Sequence, residues 1–197
     1  MARPIAKDHS EKRAHILRIA ARVFADGGIA RASMAQVAEA CGISKANIYH
    51  YYDSKDALVF DILDSYLRTL RDRLAQLDRQ GENPASQLLR FVNETLLAYE
   101  GMDAEHQIQT DGIASLGCKE QEILKSYQRD MVVQLGDILR FCAPPNLVGT
   151  KAGLKATTMS VFGMLNWFYM WNRNATQVDR TRYAEHVTAL VLGRTSA

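Results

Sequence analysis

Six residues about a quarter of the way along the chain carry side chains suited to contact with nucleic acid. They are Lys45, Ala46, Asn47, Tyr49, His50 and Tyr51. Lysine and asparagine can hydrogen-bond the edges of bases in the major groove, and a small alanine permits contact with a thymine methyl group. Tyrosine and histidine can reach phosphate oxygens. This combination predicts contact with duplex DNA.

Serines stand where the helices that carry this cluster should begin. Ser33 is followed three residues later by Gln36, which is the capping-box pattern, and Ser44 directly precedes the cluster. Free backbone amides at a helix start attract anions, so we expect phosphate contacts near Ser33 and near Ser54. Lys55 would add a charge-assisted contact to the same phosphate backbone.

The residues between the two serines predict two short helices joined by a tight turn. The turn is the tripeptide 42–44, whose leading glycine can adopt a positive φ. Ile43 and Ile48 can pack on Val37 and hold the two helices at a steep angle. A helix-turn-helix over residues 33–52 would present the start of its second helix to the major groove. An ordinary helical hairpin is the alternative, but it leaves the aromatic residues on the solvated face unexplained.

Charge is distributed unevenly along the 197 residues. The first 55 residues hold nine Lys or Arg and five Asp or Glu, which gives a net charge of +4. The whole chain carries +2, so the remaining residues carry −2. A basic N-terminal quarter favours a surface that meets a polyanion.

Several function classes find no support in the sequence. Apolar residues make up 47% of the chain, but no apolar run is long enough to span a membrane and no secretion signal is present, so we expect a cytoplasmic protein. Cys41, Cys118 and Cys142 show no paired spacing, which predicts packing residues and neither disulfides nor zinc. We expect no metal site and no cofactor, because the histidines are scattered and no phosphate-binding glycine loop occurs. The sequence contains no recognisable nucleophile–base pair of the kind that would indicate an enzyme.

Helical periodicity runs through the chain and predicts an all-α fold of nine helices. A long fourth helix is expected to run to Gln80, residues 100–117 read as broken helix, and the prolines at 144 and 145 mark the clearest break. We predict a helix-turn-helix DNA-binding domain over residues 1–55 and a ligand-binding and dimerisation domain over residues 56–197.

The helix-turn-helix resembles the N-terminal domain of the TetR family of regulators. The residues that carry the resemblance are Ser33, Val37-Ala38, Gly42-Ile43-Ser44, Ile48-Tyr49, Tyr51-Tyr52, Ser54-Lys55 and Leu58. The resemblance implies a nine-helix homodimer that binds a palindromic operator, by default as a repressor released by a small molecule. It also implies DNA-contact roles for Ser33, Lys45, Ala46, Asn47, Tyr49, His50 and Lys55.

An unusually apolar stretch near the C-terminus predicts an interface between subunits. Residues 161–171 are apolar nearly all round a helix, and such a helix is buried on every side. A four-helix interface formed with the last helix of each chain explains this pattern better than an intrachain core alone. The residues predicted to dimerise are Val161, Met164, Trp171, Tyr183, Val187 and Leu190.

The same stretch resembles a TetR subgroup that senses fatty-acyl or steroid-derived acyl-CoA thioesters. The resemblance implies a small-molecule effector that is apolar or of acyl-CoA type. Methionine and aromatic side chains can form an adaptable apolar cavity. The residues predicted to line it are Leu96, Tyr99, Met102, His106, Tyr127, Met131, Trp167 and Phe168. An architectural DNA-binding protein without an effector and an all-helical enzyme are the alternatives.

Overall fold

The computed structural model describes residues 3–77 and 81–193, with side chains from residue 9 onward, and every regular element in these ranges is helical. The helices are α1 (Arg3–Gly27), α2 (Met34–Ala40), α3 (Lys45–Tyr51), α4 (Lys55–Ala75), α5 (Pro84–Ala98), α6 (Asp103–Ser115), α7 (Cys118–Cys142), α8 (Pro145–Val148), α9 (Lys151–Trp171) and α10 (Gln177–Leu192). The all-α prediction is confirmed.

The described ranges hold ten helices, one more than the nine predicted. The addition is α8, a four-residue helix at the proline pair, where Pro145 occupies a first-turn position that needs no backbone N–H. The broken helix predicted over residues 100–117 is confirmed at Gly101 and Gly117, which lie between helices, but it is wrong at Gly112, because α6 is continuous through that residue. The long fourth helix ends at Ala75, and its predicted end at Gln80 lies outside the described residues.

A close contact explains why glycine occurs inside α6. A Cβ on Gly112 would lie 2.8 Å from Leu63 Cδ1 and 3.3 Å from Ile29 Cδ1. Residue 112 is therefore small because α6 and α4 approach closely there, which is a tertiary cause that periodicity cannot show. Glycine usually lowers helix propensity, but packing compensates for that cost in α6.

The helices form two compact units. One contains the chain up to Leu67 together with Met102–Lys125, and the other contains Arg68–Gly101 and the chain from Ser126 onward. The first unit thus adds α6 to the N-terminal helices. These compact units do not test the predicted division at residue 55 between a DNA-binding domain and a ligand-binding domain, which stays a prediction.

Apolar side chains at helical spacing form the core of the first unit. Ala20, Phe24, Val37 and Ile48 have at most 1% of their surface exposed. The side-chain amide of Gln107 on α6 donates a hydrogen bond to the carbonyl of Ala25 on α1 at 3.1 Å. These contacts pack α1 against α2 and α6.

In the second unit, α5 packs along α10 through buried side chains that include Leu88, Val92, Ala184 and Val187. Cys118 is exposed at the start of α7, so the packing role expected for it is wrong. Within the described ranges, no helix is both long enough and apolar enough to cross a membrane.

Glu105 on α6 is a buried carboxylate of the first unit that should make stability depend on pH. Burial raises its pKa, and a backbone hydrogen bond together with the charges of Arg22 and Arg18 opposes that rise only in part. The folded chain therefore holds the proton more tightly than the unfolded chain. The stability that proton binding at Glu105 contributes is complete below the unfolded glutamate pKa of about 4.3 and is lost as pH rises through the higher pKa of the folded chain.

We accordingly expect Glu105→Gln to unfold at a higher temperature than the wild type near pH 7, with the gap closing near pH 4. Thermal unfolding followed by circular dichroism across this range measures the gap. Glu39→Gln replaces an exposed glutamate of the same unit and should show no such dependence. A Glu105→Gln chain that is less stable than the wild type at neutral pH contradicts the prediction.

Candidate nucleic-acid interface

Serine side chains cap both helices of the candidate interface, as the sequence predicts. Ser33 Oγ accepts a hydrogen bond from the backbone N–H of Gln36 at 3.3 Å, and Gln36 Oε1 accepts one from the N–H of Ser33 at 2.8 Å. Ser44 Oγ accepts from the N–H of Asn47 at 3.1 Å. Such a cap stabilises a helix by about 1 kcal/mol, so the starts of α2 and α3 are well fixed.

The turn between α2 and α3 is set by a glycine and by buried apolar residues. Gly42 has a φ of +67°, a conformation that L side chains rarely adopt. The N–H of Ile43 donates to the carbonyl of Ala38 at 3.0 Å, which closes the turn. Val37 and Ile48 are fully buried between the two helices. Local hydrogen bonds and the core together fix the orientation of α3.

The opposite face of α3 is exposed and polar. It presents Lys45, Ala46, Asn47, Tyr49 and His50 to solvent. Ser33 and Ser44 are also exposed at the helix starts. Seven of the nine predicted DNA-contact residues are therefore accessible, and only Tyr51 and Lys55 are half-buried.

Tyr51 packs against α1. Its ring stacks on His9 with 5.0 Å between centroids and meets the edge of His50 at 6.0 Å. This stacking links α1 to the end of α3. A phosphate contact by the Tyr51 hydroxyl stays a prediction.

A carboxylate that the sequence analysis did not single out joins three helices of this unit. Asp61 on α4 accepts a hydrogen bond from the Tyr52 hydroxyl at 2.6 Å and pairs with Arg13 of α1. Burial, and next the bond to Asp61, raise the pKa of Tyr52, so the phenol keeps its proton. Asp61 lies beside the buried Ile62, and an acid next to a core position is the sequence signal for such a tie.

Lys55 is occupied inside the unit. Its amine donates to the backbone carbonyls of Ile29, Ala32 and Ala30 at 2.7, 3.2 and 3.3 Å. A lysine ammonium has three donors, so these bonds use all of them. The amine holds the segment between α1 and α2, directly before the cap residue Ser33. The structure thus gives Lys55 a positioning role, where the sequence predicts a phosphate contact.

Two family models match this chain on either side of residues 63–80. The model described as bacterial regulatory proteins, tetR family, matches residues 16–62. The model described as tetracyclin repressor-like, C-terminal domain, matches residues 81–195. The chain belongs to the TetR family.

Similar proteins agree with this membership. The HTH-type transcriptional repressor KstR2 of Rhodococcus jostii is 33% identical over 109 residues, which cover 54% of this chain and 52% of that protein. The match therefore spans about half of that relative's length. A TetR-family transcriptional regulator from Bordetella parapertussis is 28% identical and has a TM-score of 0.85, with 94% of this chain and 98% of that chain covered.

A third solved structure shares the fold. AibR, crystallised in complex with isovaleryl coenzyme A and operator DNA, has a TM-score of 0.75 at 21% identity, with 93% of this chain and all of that chain covered (100%). At this identity the likeness concerns the fold alone. The TetR family consists of bacterial regulatory proteins, and this chain has the two-part helical fold of its members.

Part of the ligand set predicted for this TetR-family chain comes together in the second unit. Leu96 and Tyr99 are buried at the end of α5, and the Tyr99 hydroxyl donates to Asn166 Oδ1 on α9 at 2.8 Å. Burial raises the pKa of Tyr99. Phe168 is buried two residues beyond Asn166. Arg180 of α10, which the sequence analysis did not single out, lies between Leu96 and Phe168.

Three other predicted ligand residues of this unit are placed differently. The Tyr127 ring lies under the Arg71 guanidinium, with 4.7 Å from its central carbon to the ring centroid. Met131 is buried one turn later on α7. Trp167 is 61% exposed, so its side chain suits contact with another molecule better than an enclosed cavity.

The remaining two predicted ligand residues belong to the first unit. Met102 is exposed just before α6. His106 Nδ1 lies 2.8 Å from the Tyr66 hydroxyl, and their rings meet edge to face. A role for either residue in ligand binding stays a prediction. Among the described residues, no cluster of histidine, cysteine and acidic side chains is arranged to hold a metal ion.

The predicted dimerisation residues divide by burial. Val161 and Val187 are fully buried within one chain, so their side chains cannot form the surface of an interface between subunits. Tyr183 is half-buried and stacks on Phe168 at 4.8 Å. Trp171 and Leu190 are each 57% exposed and remain available to a partner. Met164 is half-buried on α9.

Proposed function

We propose that this TetR-family chain is a ligand-responsive repressor that binds a palindromic operator as a homodimer. The observation that carries the proposal is the exposed face of α3. Lysine, asparagine and aromatic side chains point outward from a helix whose start is capped and whose inner face is buried. Such preorganisation is what direct reading of bases in the major groove requires.

The contacts divide into two kinds. Lys45 and Asn47 stand in the first turn of α3, where a recognition helix meets base edges. Ser33, Tyr49 and His50 are placed to contact phosphates, which fix register without reading sequence. Arg13, Asp61 and the Lys55 amine act behind this face and hold its helices in place.

A homodimer would read two half-sites, and α9 offers an apolar surface for it. Met159, Gly163, Trp167 and Trp171 follow one another at intervals of four residues and all are exposed. Residues four apart form one ridge of a helix, and Gly163 would let a facing backbone approach closely. Leu190 of α10 is exposed too. We call these five residues the α9–α10 face and propose that it pairs with its copy.

Selection from a random duplex library tests the proposal. The full chain should enrich a two-fold symmetric sequence with half-site centres separated by about one helical turn, 10–10.5 base pairs, or a multiple of it. Light scattering of the complex should give an even number of chains per duplex. Failure to enrich any sequence, or enrichment of an asymmetric site bound by one chain, contradicts the proposal.

Effector binding and operator binding are thermodynamically linked in this proposal. A small molecule that favours a dimer geometry different from the one that binds the operator lowers the affinity of the dimer for the operator. By linkage, operator DNA lowers the affinity of the dimer for the small molecule by the same factor. AibR was crystallised with isovaleryl coenzyme A and DNA, which supports an acyl-CoA-type or apolar effector here. Titrating acyl-CoAs into the preformed complex tests this part, with release of the duplex as the expected result.

Lys55→Met separates positioning from phosphate contact. We expect the free energy of unfolding to fall by about 2 kcal/mol, because charge-assisted hydrogen bonds to the turn are lost. The slope of log affinity against log salt should stay unchanged, since that slope counts phosphate contacts. Chemical denaturation and binding at several salt concentrations measure the two effects.

Lys45→Met is the matched control, because that lysine is exposed on α3 and its loss should leave stability unchanged. If Lys55→Met instead kept its stability and reduced the salt slope of the dimer by about two, one contact for each chain, the amine would contact phosphate and the positioning role would be wrong.

A further inference from the structure

Arg180 is a buried cation in the second unit. Its side chain lies in the second turn of α10, and the residue is 4% exposed. One guanidinium nitrogen donates to the backbone carbonyl of Leu96 at 3.1 Å, and the central carbon lies 5.5 Å from the Phe168 ring centroid. Its Nε is buried without a hydrogen-bond partner, and the guanidinium pairs with no carboxylate among the described residues.

This environment compensates the charge only in part. Arginine keeps its charge in proteins and offers five N–H donors in a rigid fork. The carbonyl of Leu96 lies near the C-terminal, partly negative end of α5, and an aromatic face attracts a cation weakly. Taking a full charge out of water is costly, and these two contacts do not balance that cost. An anionic oxygen group would complete the site.

The surroundings of Arg180 match a molecule that is apolar at one end and anionic at the other. Phe168 stacks on Tyr183 at 4.8 Å, which gives an aromatic surface next to the guanidinium. Asn166 is half-buried on the same helix, and its side-chain oxygen is engaged by Tyr99. Aromatic walls with a few convergent polar groups are the usual lining of small-molecule sites.

We propose that Arg180 binds the anionic oxygen group of an amphipathic effector whose apolar part packs on the aromatic residues beside it. The inference rests on the proposed effector role and narrows its chemistry from an apolar or acyl-CoA-type molecule to an anionic one held at Arg180. The anionic group is a carboxylate in a free organic acid or a phosphate in a coenzyme A thioester. Because the guanidinium donates one hydrogen bond to the carbonyl of Leu96 and its Nε has no partner among the described residues, it retains N–H donors for such a group.

The test compares matched ligands on the full chain without DNA. The probes are hexanoate, decanoate and hexadecanoate, the alcohols of the same chain lengths, and the corresponding acyl-CoAs, each titrated by calorimetry. We expect at least one anionic member to bind about tenfold or more tightly than its alcohol, which is the gain from a charge-assisted pair. Preference for the carboxylate or for the acyl-CoA identifies the source of the anion.

Substitutions assign that preference to one residue. Arg180→Gln should reduce the difference between anion and alcohol to about twofold or less, whereas Arg182→Gln, at an exposed arginine of the same helix, should leave it intact. Arg180→Lys keeps the charge without the planar fork and should retain part of the preference. If Arg180→Gln does not fold, the comparison of Arg180→Lys with the wild type still decides the point.

Two results would overturn the inference. One is a wild type for which no anionic probe outbinds its alcohol. The other is an Arg180→Gln chain that is less stable but keeps the full preference, since Arg180 would then only cap the end of α5. Operator binding by the ligand-free chain is measured separately, so failure of the anion site is distinguishable from failure of the DNA-binding proposal.

Discussion

Replacing Lys45 and Tyr49 together by alanine should lower affinity for the selected operator by about 100-fold, while the chain keeps its fold and its dimer. Both side chains are exposed on α3, and neither contributes to the core that holds the helix. A good base contact discriminates by about 1–3 kcal/mol, and loss of a phosphate contact adds to that loss in both half-sites of a dimer.

The two substitutions should differ in their effect on sequence specificity. Loss of a base contact at Lys45 relaxes sequence preference at one position of each half-site, whereas loss of a phosphate contact at Tyr49 weakens all sequences alike. Binding to the selected duplex and to single-base variants of it, measured for each single mutant, separates the two. Thermal unfolding of the double mutant should match that of the wild type.

Lys155→Ala is the control, because it removes an exposed lysine of α9, far along the chain from the interface. It should leave operator affinity within about twofold of the wild type. If the Lys45 and Tyr49 double mutant also binds within twofold, α3 does not read DNA and the proposed function is wrong.

Introducing glutamate at Met159 and Trp167 should convert the dimer into monomers and lower operator affinity by about 100-fold or more. Both side chains lie on the α9–α10 face, 50% and 61% exposed, so a charge there costs the single chain little. In a dimer the same charges would face their copies in a desolvated interface, where like charges cost several kcal/mol. A monomer binds one half-site and loses the gain from linked binding.

Sedimentation velocity measures the association state, and circular dichroism checks that the monomer is folded. Val133→Glu is the matched control, because it places a glutamate at a 62% exposed apolar residue of α7. It should leave the dimer and its operator affinity unchanged. A double mutant that still sediments as a dimer would show that another surface joins the subunits.

Local signals in the sequence were sufficient for the helix-turn-helix. The capping pattern at Ser33, the positive-φ glycine at position 42 and the cap at Ser44 act over three or four residues, and the structure reproduces each. The inward position of Ile48 follows from the same periodicity. The all-α class was predictable for the same reason, since helical hydrogen bonds and stripes are local.

Other features depended on residues far apart in the chain. Gly112 suggests a break in the sequence, yet the approach of Leu63 makes it a packing residue inside α6. The charge of Lys55 suggests a phosphate contact, yet its amine meets carbonyls that lie 23 to 26 residues earlier. Neither partner can be found by spacing, because tertiary contacts follow no fixed period.

The C-terminal body shows the same limit most clearly. Its sequence determined that residues 161–171 are apolar nearly all round, but only the fold decided which of them one chain buries for itself. Val161 is buried while Trp167 is exposed, and Arg180 contacts Leu96, which lies 84 positions earlier in the chain.

For the six residues with which the sequence analysis began, residue type and helical period determined what they can contact. Tertiary packing decided that Lys45, Asn47 and Tyr49 face solvent, because the buried side of α3 is fixed by α1 and α2 and by the caps that hold them.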